Sequence, residues 1–298
     1  MIYDILIVGG GPAGMTAAIY GRRAGKSVLV VERGSFGGQM THSPKIENYP
    51  GVPEISGNAL SERMADQMMA LGADVEIDTV TGVEDLGGVK RVTGEFGVYE
   101  GRTLILAVGV EHRKLGVPGE ETLDGAGVSY CAVCDGAFYK DKDVVMVGGG
   151  NSALQEALLL SQTSRSVTIL QDLPTLTGEQ TLIDALAGRG NVRVVTGARV
   201  TAIEGADAVT GVTAAVGGEA KTFPCDGVFV AIGLKPENEP YKGVARLNDY
   251  GYFDTDETCV AGNGVFVAGD CRSKQIRQIT TATADGASAA LAAIRYLG

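Results

Sequence analysis

Short apolar runs that do not alternate with polar positions recur along the chain, and each ends in glycine. Asp4-Ile5-Leu6-Ile7-Val8 is the first, and an uninterrupted run of this length reads as a strand buried on both faces. It enters Gly9-Gly10-Gly11-Pro12-Ala13-Gly14, then a helix-like stretch from Ala13 to Ala24, then a second strand at Ser27-Val28-Leu29-Val30-Val31-Glu32. The same succession returns 139 positions later without a gap. There Asp143 to Val147 leads into Gly148-Gly149-Gly150-Asn151-Ser152-Ala153, a helix is expected over Ser152 to Thr163, and Ser166-Val167-Thr168-Ile169-Leu170-Gln171 forms the second strand. Three further strands are predicted at Thr103 to Gly109, Gly227 to Gly233, and Gly264 to Gly269 followed by Asp270.

Strand, glycine turn, helix and strand in that order is the setting in which a glycine motif binds a dinucleotide. The glycines permit the tight turn and close approach of a pyrophosphate to the helix N-terminus, and an acid at the end of the second strand accepts from ribose hydroxyls. One glycine turn alone would carry little weight, but two in matching context do. The pattern therefore predicts an α/β fold of two Rossmann-like three-layer nucleotide-binding domains, one inserted in the other. Proline-bearing segments, Leu115-Gly116-Val117-Pro118-Gly119 and Leu234-Lys235-Pro236, follow the strands flanking the second repeat and are expected to be the crossings. The expected boundaries are residues 1–112 with 241–298 for a discontinuous first domain and 113–240 for the inserted one. Two consecutive domains are the alternative.

The net charge of −11 opposes a general surface for nucleic acid or anionic membrane. No apolar run approaches the roughly 18–20 residues that cross a bilayer, and no basic segment precedes the first strand, so a cytoplasmic protein is expected. Five cysteines, an odd number, do not make a secreted disulfide framework. Two of them form Cys131-Ala132-Val133-Cys134, followed by Asp135-Gly136. Such a pair can close a small ring and can hold a thiol of lowered pKa, which suits electron exchange. Zinc would need two more ligands, and Cys225, Cys259, Cys271, His42 and His112 are isolated in sequence, so no metal is expected. An inert buried pair is the other alternative. Cys225, Cys259 and Cys271 read as buried packing residues and the two histidines as structural.

Together Val8 to Gly14, Gly37-Gly38-Gln39, Ile46 to Gly51, Cys131 to Gly136, Gly148 to Ala153, Ala268-Gly269-Asp270 and Arg277-Gln278 resemble the low-molecular-weight thioredoxin reductases of the pyridine nucleotide-disulfide oxidoreductase superfamily, over essentially the whole chain. The resemblance implies FAD held by Gly9, Gly11, Pro12, Ala13 and Gly14 at its pyrophosphate and by Glu32 and Arg33 at its adenosine. It places Gly38, Gln39 and Asn48 along the flavin, Val80, Gly109 and Gly269 around the cofactor, Asp270 at the ribityl chain, and Arg277, Gln278 and Ile279 at the isoalloxazine. It makes Cys131 the thiol that attacks the partner, Cys134 the thiol beside the flavin, and Asp135 the proton donor or acceptor. On the residues alone, Asn48 could instead cap a turn, Arg277 could be a solvated charge, and Asp135 could cap a helix. A homodimer and a thioredoxin or thioredoxin-like partner are also implied.

One stretch departs from the pattern. NADPH-using members carry arginines after the second strand of the inserted domain, whereas this chain has Gln171-Asp172-Leu173-Pro174 and no basic residue until Arg189. An aspartate there repels a 2'-phosphate, so NADH is expected over NADPH, with Asp172 accepting from a ribose hydroxyl. Gly148, Gly150, Asn151, Ser152, Ala153 and Gly233 would hold that nucleotide. Ferredoxin or another flavin as donor, and a flavin redox sensor without turnover, are the alternatives.

Overall fold

The computed structural model describes residues 1–43 and 45–298. In chain order, β1 (Ile2–Val8), α1 (Pro12–Arg23), β2 (Val28–Glu32), α2 (Gly57–Ala70), β3 (Asp74–Ile77), β4 (Val80–Asp85), β5 (Lys90–Gly94) and β6 (Val98–Leu106) come first. After β7 (Glu111–His112) follow β8 (Val128–Ser129), α3 (Ala132–Asp135), β9 (Asp143–Val147), α4 (Asn151–Leu160), β10 (Ser166–Gln171), α5 (Gln180–Ala187) and β11 (Val192–Thr196). Then come β12 (Ala198–Gly205), β13 (Val209–Val216), β14 (Glu219–Pro224), β15 (Gly227–Val230) and β16 (Leu234–Lys235), and finally β17 (Val260–Gly262), β18 (Val265–Val267) and α6 (Ile279–Leu297). The chain divides into two units, Met1–Glu111 with Pro236–Gly298, and His112–Lys235.

In the first unit, β1 pairs in parallel with β2 on one side and β6 on the other, because Ile5, Leu6 and Ile7 are fully buried from both faces. The order β17-β18-β6-β1-β2-β3 leaves β1 central, so its carboxyl end opens into the middle of the sheet edge. One face carries α1, α2 and α6, packed on Ile5, Ile7, Val28, Val30 and Ile105. The other face, Leu6, Val8, Leu29, Val31 and Leu104, is covered by residues of β4 and β5 and by Tyr241 and Phe253. Alternation of these side chains by twos along β1 and β2 makes the layers.

The second unit repeats the scheme with an all-parallel sheet of order β11-β10-β9-β15-β8. Val144, Met146, Val167, Ile169 and Phe229 face α4 and α5, while Val145, Val147, Leu170, Val228 and Val230 face the antiparallel β12–β14 layer. Arg113 N–H donates to the Gly233 carbonyl at 3.0 Å, joining the two ends of this unit.

The unit boundaries fall between Glu111 and His112 and between Lys235 and Pro236, the latter within the expected crossing Leu234-Lys235-Pro236. Residues 236–240, expected in the inserted domain, belong to the first unit, where buried Asn238 donates from Nδ2 to the carbonyls of Gly251 and Cys271 at 2.9 Å each. Leu115 to Gly119 is no crossing. Its amides at Leu115 and Gly116 donate to the buried carboxylate of Glu120 at 2.8 and 2.7 Å, and the Tyr130 hydroxyl donates to the same group at 3.1 Å, so this segment is folded into the second unit. The predicted strands also end earlier, at Leu106, Val230 and Val267, because the glycines beyond them turn the chain: Gly109, Gly233 and Gly269 all have positive φ.

Candidate redox site and nucleotide loops

The first glycine loop is shaped by contacts a side chain would break. A methyl on Gly14 would lie 1.8 Å from the Gly9 carbonyl oxygen, and one on Gly9 would lie 2.4 Å from that of Ala107. Gly11, in contrast, has open space where its side chain would be. It is the N-cap of α1, no side chain caps the helix, Pro12 opens it, and no acid stands in its first turn, so free amides and the positive end of the dipole remain for an anion. Glu32 ends β2 with Oε2 accepting from Gly10 N–H at 2.5 Å and Oε1 from Gly34 N–H at 3.0 Å. Arg33 does not extend to this loop; its guanidinium is tied to Glu111 and, at 3.0 Å, to Glu237.

Around Asp270 the same unit holds a second polar centre. Asp270 is half-buried, desolvation pushes its carboxyl up from the ordinary value, and its buried Oδ1 has no hydrogen-bond partner. Lys274 Nζ stands 3.9 Å from that oxygen. An orphaned buried acceptor of this kind fits a polyhydroxyl ligand such as the ribityl chain of a flavin. The turn is braced by Asp285 of α6, which accepts from Gly269 N–H at 3.1 Å, Arg272 Nε at 2.9 Å and Lys274 Nζ at 2.8 Å. Arg277 lies over the Tyr252 ring, 4.5 Å from its centroid, and donates to the Asp270 carbonyl at 3.3 Å, so it is neither solvated nor free. Gln278 caps α6 in a reciprocal capping box with Thr281, and accepts from Asn48 Nδ2 at 3.3 Å; Ile279 is the first helical residue. Gly38, Gln39 and Asn48 are exposed, with Gly38 beside Gly11; Val80 opens β4 and is partly buried. The residues present fit FAD.

In the second unit Cys131 and Cys134 form a disulfide with Cα atoms 5.3 Å apart. Cys131 is the N-cap of the short helix α3, and the Cys134 N–H points at its Sγ at 3.2 Å. A thiolate at Cys131 would therefore meet the Cys134 amide. Asp135 is anchored by the Ser129 hydroxyl, which donates to Oδ2 at 2.6 Å and accepts from Cys131 N–H at 3.1 Å. Burial raises the Asp135 carboxyl, Ser129 opposes that shift, and Oδ1 is buried without a partner. Glu156 of α4 accepts from Ala132 N–H at 3.0 Å, and burial pushes its carboxyl up to about 7. Neither Ser129 nor Glu156 was expected from the sequence. Glu156 falls between Ala153, Ala157 and Leu160 on the buried face of its helix, and an acid on an apolar stripe is the signal that could have marked it.

The second glycine loop differs from the first. Gly148 has positive φ, and a methyl there would lie 2.4 Å from the Ala231 carbonyl oxygen, but the third position is Ala153, fully buried. The loop after β10 folds back over it. Thr177 and Gly178 N–H both donate to the Gly149 carbonyl, at 2.8 and 3.0 Å. Asn151, the first residue of α4, donates from Nδ2 to the Glu179 carboxylate at 3.0 Å and accepts the Glu179 amide at 2.7 Å. Gln171 is buried with its side chain against Gly149, whereas Ser152 and Asp172 are exposed.

Cys225, Cys259 and Cys271 are free and buried, with burial pushing their thiols up to about 12, 11 and 12. Among the described residues no cluster of three or more His, Cys, Asp or Glu is placed to hold a metal. The His112 ring packs on that of Tyr130, 5.2 Å between centroids. No helix among the described residues is long and apolar enough to cross a membrane.

Residues 3–286 match the pyridine nucleotide-disulphide oxidoreductases. A thioredoxin reductase of Listeria monocytogenes is 42% identical over 300 residues, covering 99% of this chain and 94% of its own. One of Bacillus subtilis is 41% identical over 302 residues, covering 99% and 95%. The crystal structure of the thioredoxin reductase from Streptococcus pyogenes superposes with a TM-score of 0.95 at 39% identity, over 99% of this chain and 98% of that one.

Proposed function

Since the chain belongs to the pyridine nucleotide-disulphide oxidoreductase family, we propose that it is an FAD-dependent disulfide reductase that passes electrons through Cys131 and Cys134 to thioredoxin or a similar dithiol protein. The observation that carries this reading is the Cys131–Cys134 disulfide beside a buried acid, Asp135, with one oxygen unpartnered. FAD, when bound, supplies the two-electron chemistry between a donor and the disulfide. Gly9, Gly11 and the start of α1 hold its pyrophosphate, Glu32 its ribose, and Asp270 its ribityl hydroxyls.

With the pair reduced, the Cys131 thiolate, stabilised by the Cys134 amide, attacks one sulfur of the partner's disulfide. The partner's other sulfur leaves as a thiolate and takes a proton. Cys134 loses its proton to Asp135 and attacks Cys131 Sγ; the partner's sulfur leaves from Cys131 and takes that proton back from Asp135, so the partner departs as a dithiol. Ser129 holds Asp135 where that proton can move. The Cys131–Cys134 disulfide is restored.

NADH is favoured over NADPH as donor, because exposed Asp172 stands where a 2'-phosphate would need cations. One observation favours a second reading, a ferredoxin or flavin donor: Glu179 and Thr177 already occupy the polar groups of the second loop. Anaerobic mixing of the flavin-loaded protein with NADH, NADPH and reduced ferredoxin in turn, followed by thioredoxin, separates them. NADH should bleach the flavin absorbance and yield reduced thioredoxin. Failure of every donor overturns the reductase reading.

A further inference from the structure

Glu156 is the one largely buried carboxylate touching the disulfide turn that the exchange steps above leave unused. It reaches from α4 to the amide of Ala132, the residue directly after Cys131, at 3.0 Å. The turn's donors are thereby divided. Cys134 N–H serves Cys131 Sγ, and Ala132 N–H serves Glu156. While the pair is oxidised the sulfurs carry no charge, and among the described residues Glu156 is the partner of the Ala132 amide.

We propose that Glu156 is a positioning residue of the Cys131–Cys134 couple that takes up a proton when the disulfide is reduced. This rests on the reading of that pair as the redox couple. Two electrons from a dithiol or a reduced flavin break the S–S bond and leave two thiolates. One is protonated and the other persists at Cys131, so a carboxylate and a thiolate would share one short turn in a poorly hydrated place. Like charges at such separation disfavour joint ionisation. A second proton therefore goes to the Glu156 carboxylate, balancing two electrons with two protons.

The ionisable groups on the elements packed against α4 are Cys131, Cys134 and Asp135 of α3, Tyr139 in the turn after it, Asp143 of β9 and Asp184 of α5; β10 has none. In the oxidised protein burial acts most on Glu156, raising it, and the Ala132 amide opposes that.

The test equilibrates the full chain and Glu156→Gln with dithiothreitol redox buffers across pH 6 to 9, and counts reduced Cys131 and Cys134 by alkylation and mass. Both proteins meet the same buffer, so its own titration cancels. Above pH 7 the reduction equilibrium of the unmodified chain should fall with pH up to about tenfold more per unit than that of the variant, one extra proton being taken up. Equal slopes overturn the proposal alone. A pair that no buffer reduces overturns it together with the redox reading. Should Glu156→Gln not fold, redox-difference infrared spectra of Asp135→Asn decide: a protonated-carboxyl band gained on reduction supports the proposal, and its absence overturns it.

Discussion

Asn151 and Glu179 hold each other by two hydrogen bonds, side-chain amide to carboxylate at 3.0 Å and backbone amide to side-chain oxygen at 2.7 Å, directly at the start of α4. The carboxylate thus stands at a helix start, the kind of place that favours an anion. Glu179→Ala should lower the KM for NADH by about 10–100-fold, the value of one charge-assisted hydrogen bond no longer displaced. Steady-state kinetics at fixed thioredoxin measures it. An unchanged KM would show that this pair does not compete with the nucleotide.

Charge at the end of β10 is the simplest handle on donor choice. The side chains of Asp172 and Leu173 are exposed, and the bond Leu173 makes, its carbonyl accepting from Gly197 N–H at 2.9 Å, is a backbone one that a side-chain replacement keeps. Asp172→Arg with Leu173→Arg should shift kcat/KM toward NADPH by at least about tenfold, as a guanidinium pair can bind a phosphate dianion bidentately. The ratio of the two donors' kcat/KM is the readout, and no shift would place the 2'-phosphate elsewhere.

Gly14 and Ala153 occupy equivalent places in the two repeats, and the structure tolerates a methyl at only one. Gly14→Ala should destabilise the first unit by about 3 kcal/mol, since its methyl would fall 1.8 Å from the Gly9 carbonyl oxygen, and should leave the purified protein depleted in FAD. Ala153→Gly should cost about 1 kcal/mol, the helix penalty of glycine. Thermal melting and the ratio of flavin to protein absorbance check both.

The two cysteines should separate cleanly in a trapping experiment. Cys134→Ser leaves Cys131 able to attack but with no thiol to resolve the product, so the variant should accumulate a mixed disulfide with thioredoxin after reduction. Cys131→Ser should not. Intact mass spectrometry reads the adduct, and the reverse outcome would exchange the roles of the two thiols.

Glu156 also ties stability to pH. Its folded-state carboxyl is raised to about 7 from 4.5, so the native protein binds the extra proton between these values and loses stability as pH rises through them. The loss amounts to at most about 3 kcal/mol. Denaturant midpoints should fall from pH 4.5 to 7 more steeply for the unmodified chain than for Glu156→Gln, and parallel profiles would contradict this.

Much of the architecture could be read in the chain because it rests on local, periodic signals. The unbroken apolar runs before Gly9 and Gly148 announce central parallel strands, and the acid Glu32 at the end of β2 and the glutamine Gln171 at the end of β10 already tell the two loops apart. The place of residues 236–240 in the first unit was less legible. It depends on Asn238 reaching carbonyls at Gly251 and Cys271, contacts between distant positions that leave no periodic trace. The same holds for Glu120, whose three donors come from Leu115, Gly116 and Tyr130. Single-residue partners are equally illegible: Arg33 pairs with Glu111 and Glu237, and Arg277 lies over Tyr252. The loop from Thr175 to Glu179 has a composition that predicts no fixed path, and its closure over Gly149 appears only in three dimensions.

The burial of Cys225, Cys259 and Cys271 has a practical side. Their thiols are held up at about 12, 11 and 12, so at neutral pH the folded chain offers a maleimide no reactive sulfur while Cys131 and Cys134 are joined. Reduction uncovers two thiols, both in one four-residue stretch. The protein thus comes with a chemical handle that can be switched on by a reductant, and a dye or a surface tether can be attached at a single known place without first deleting any native cysteine.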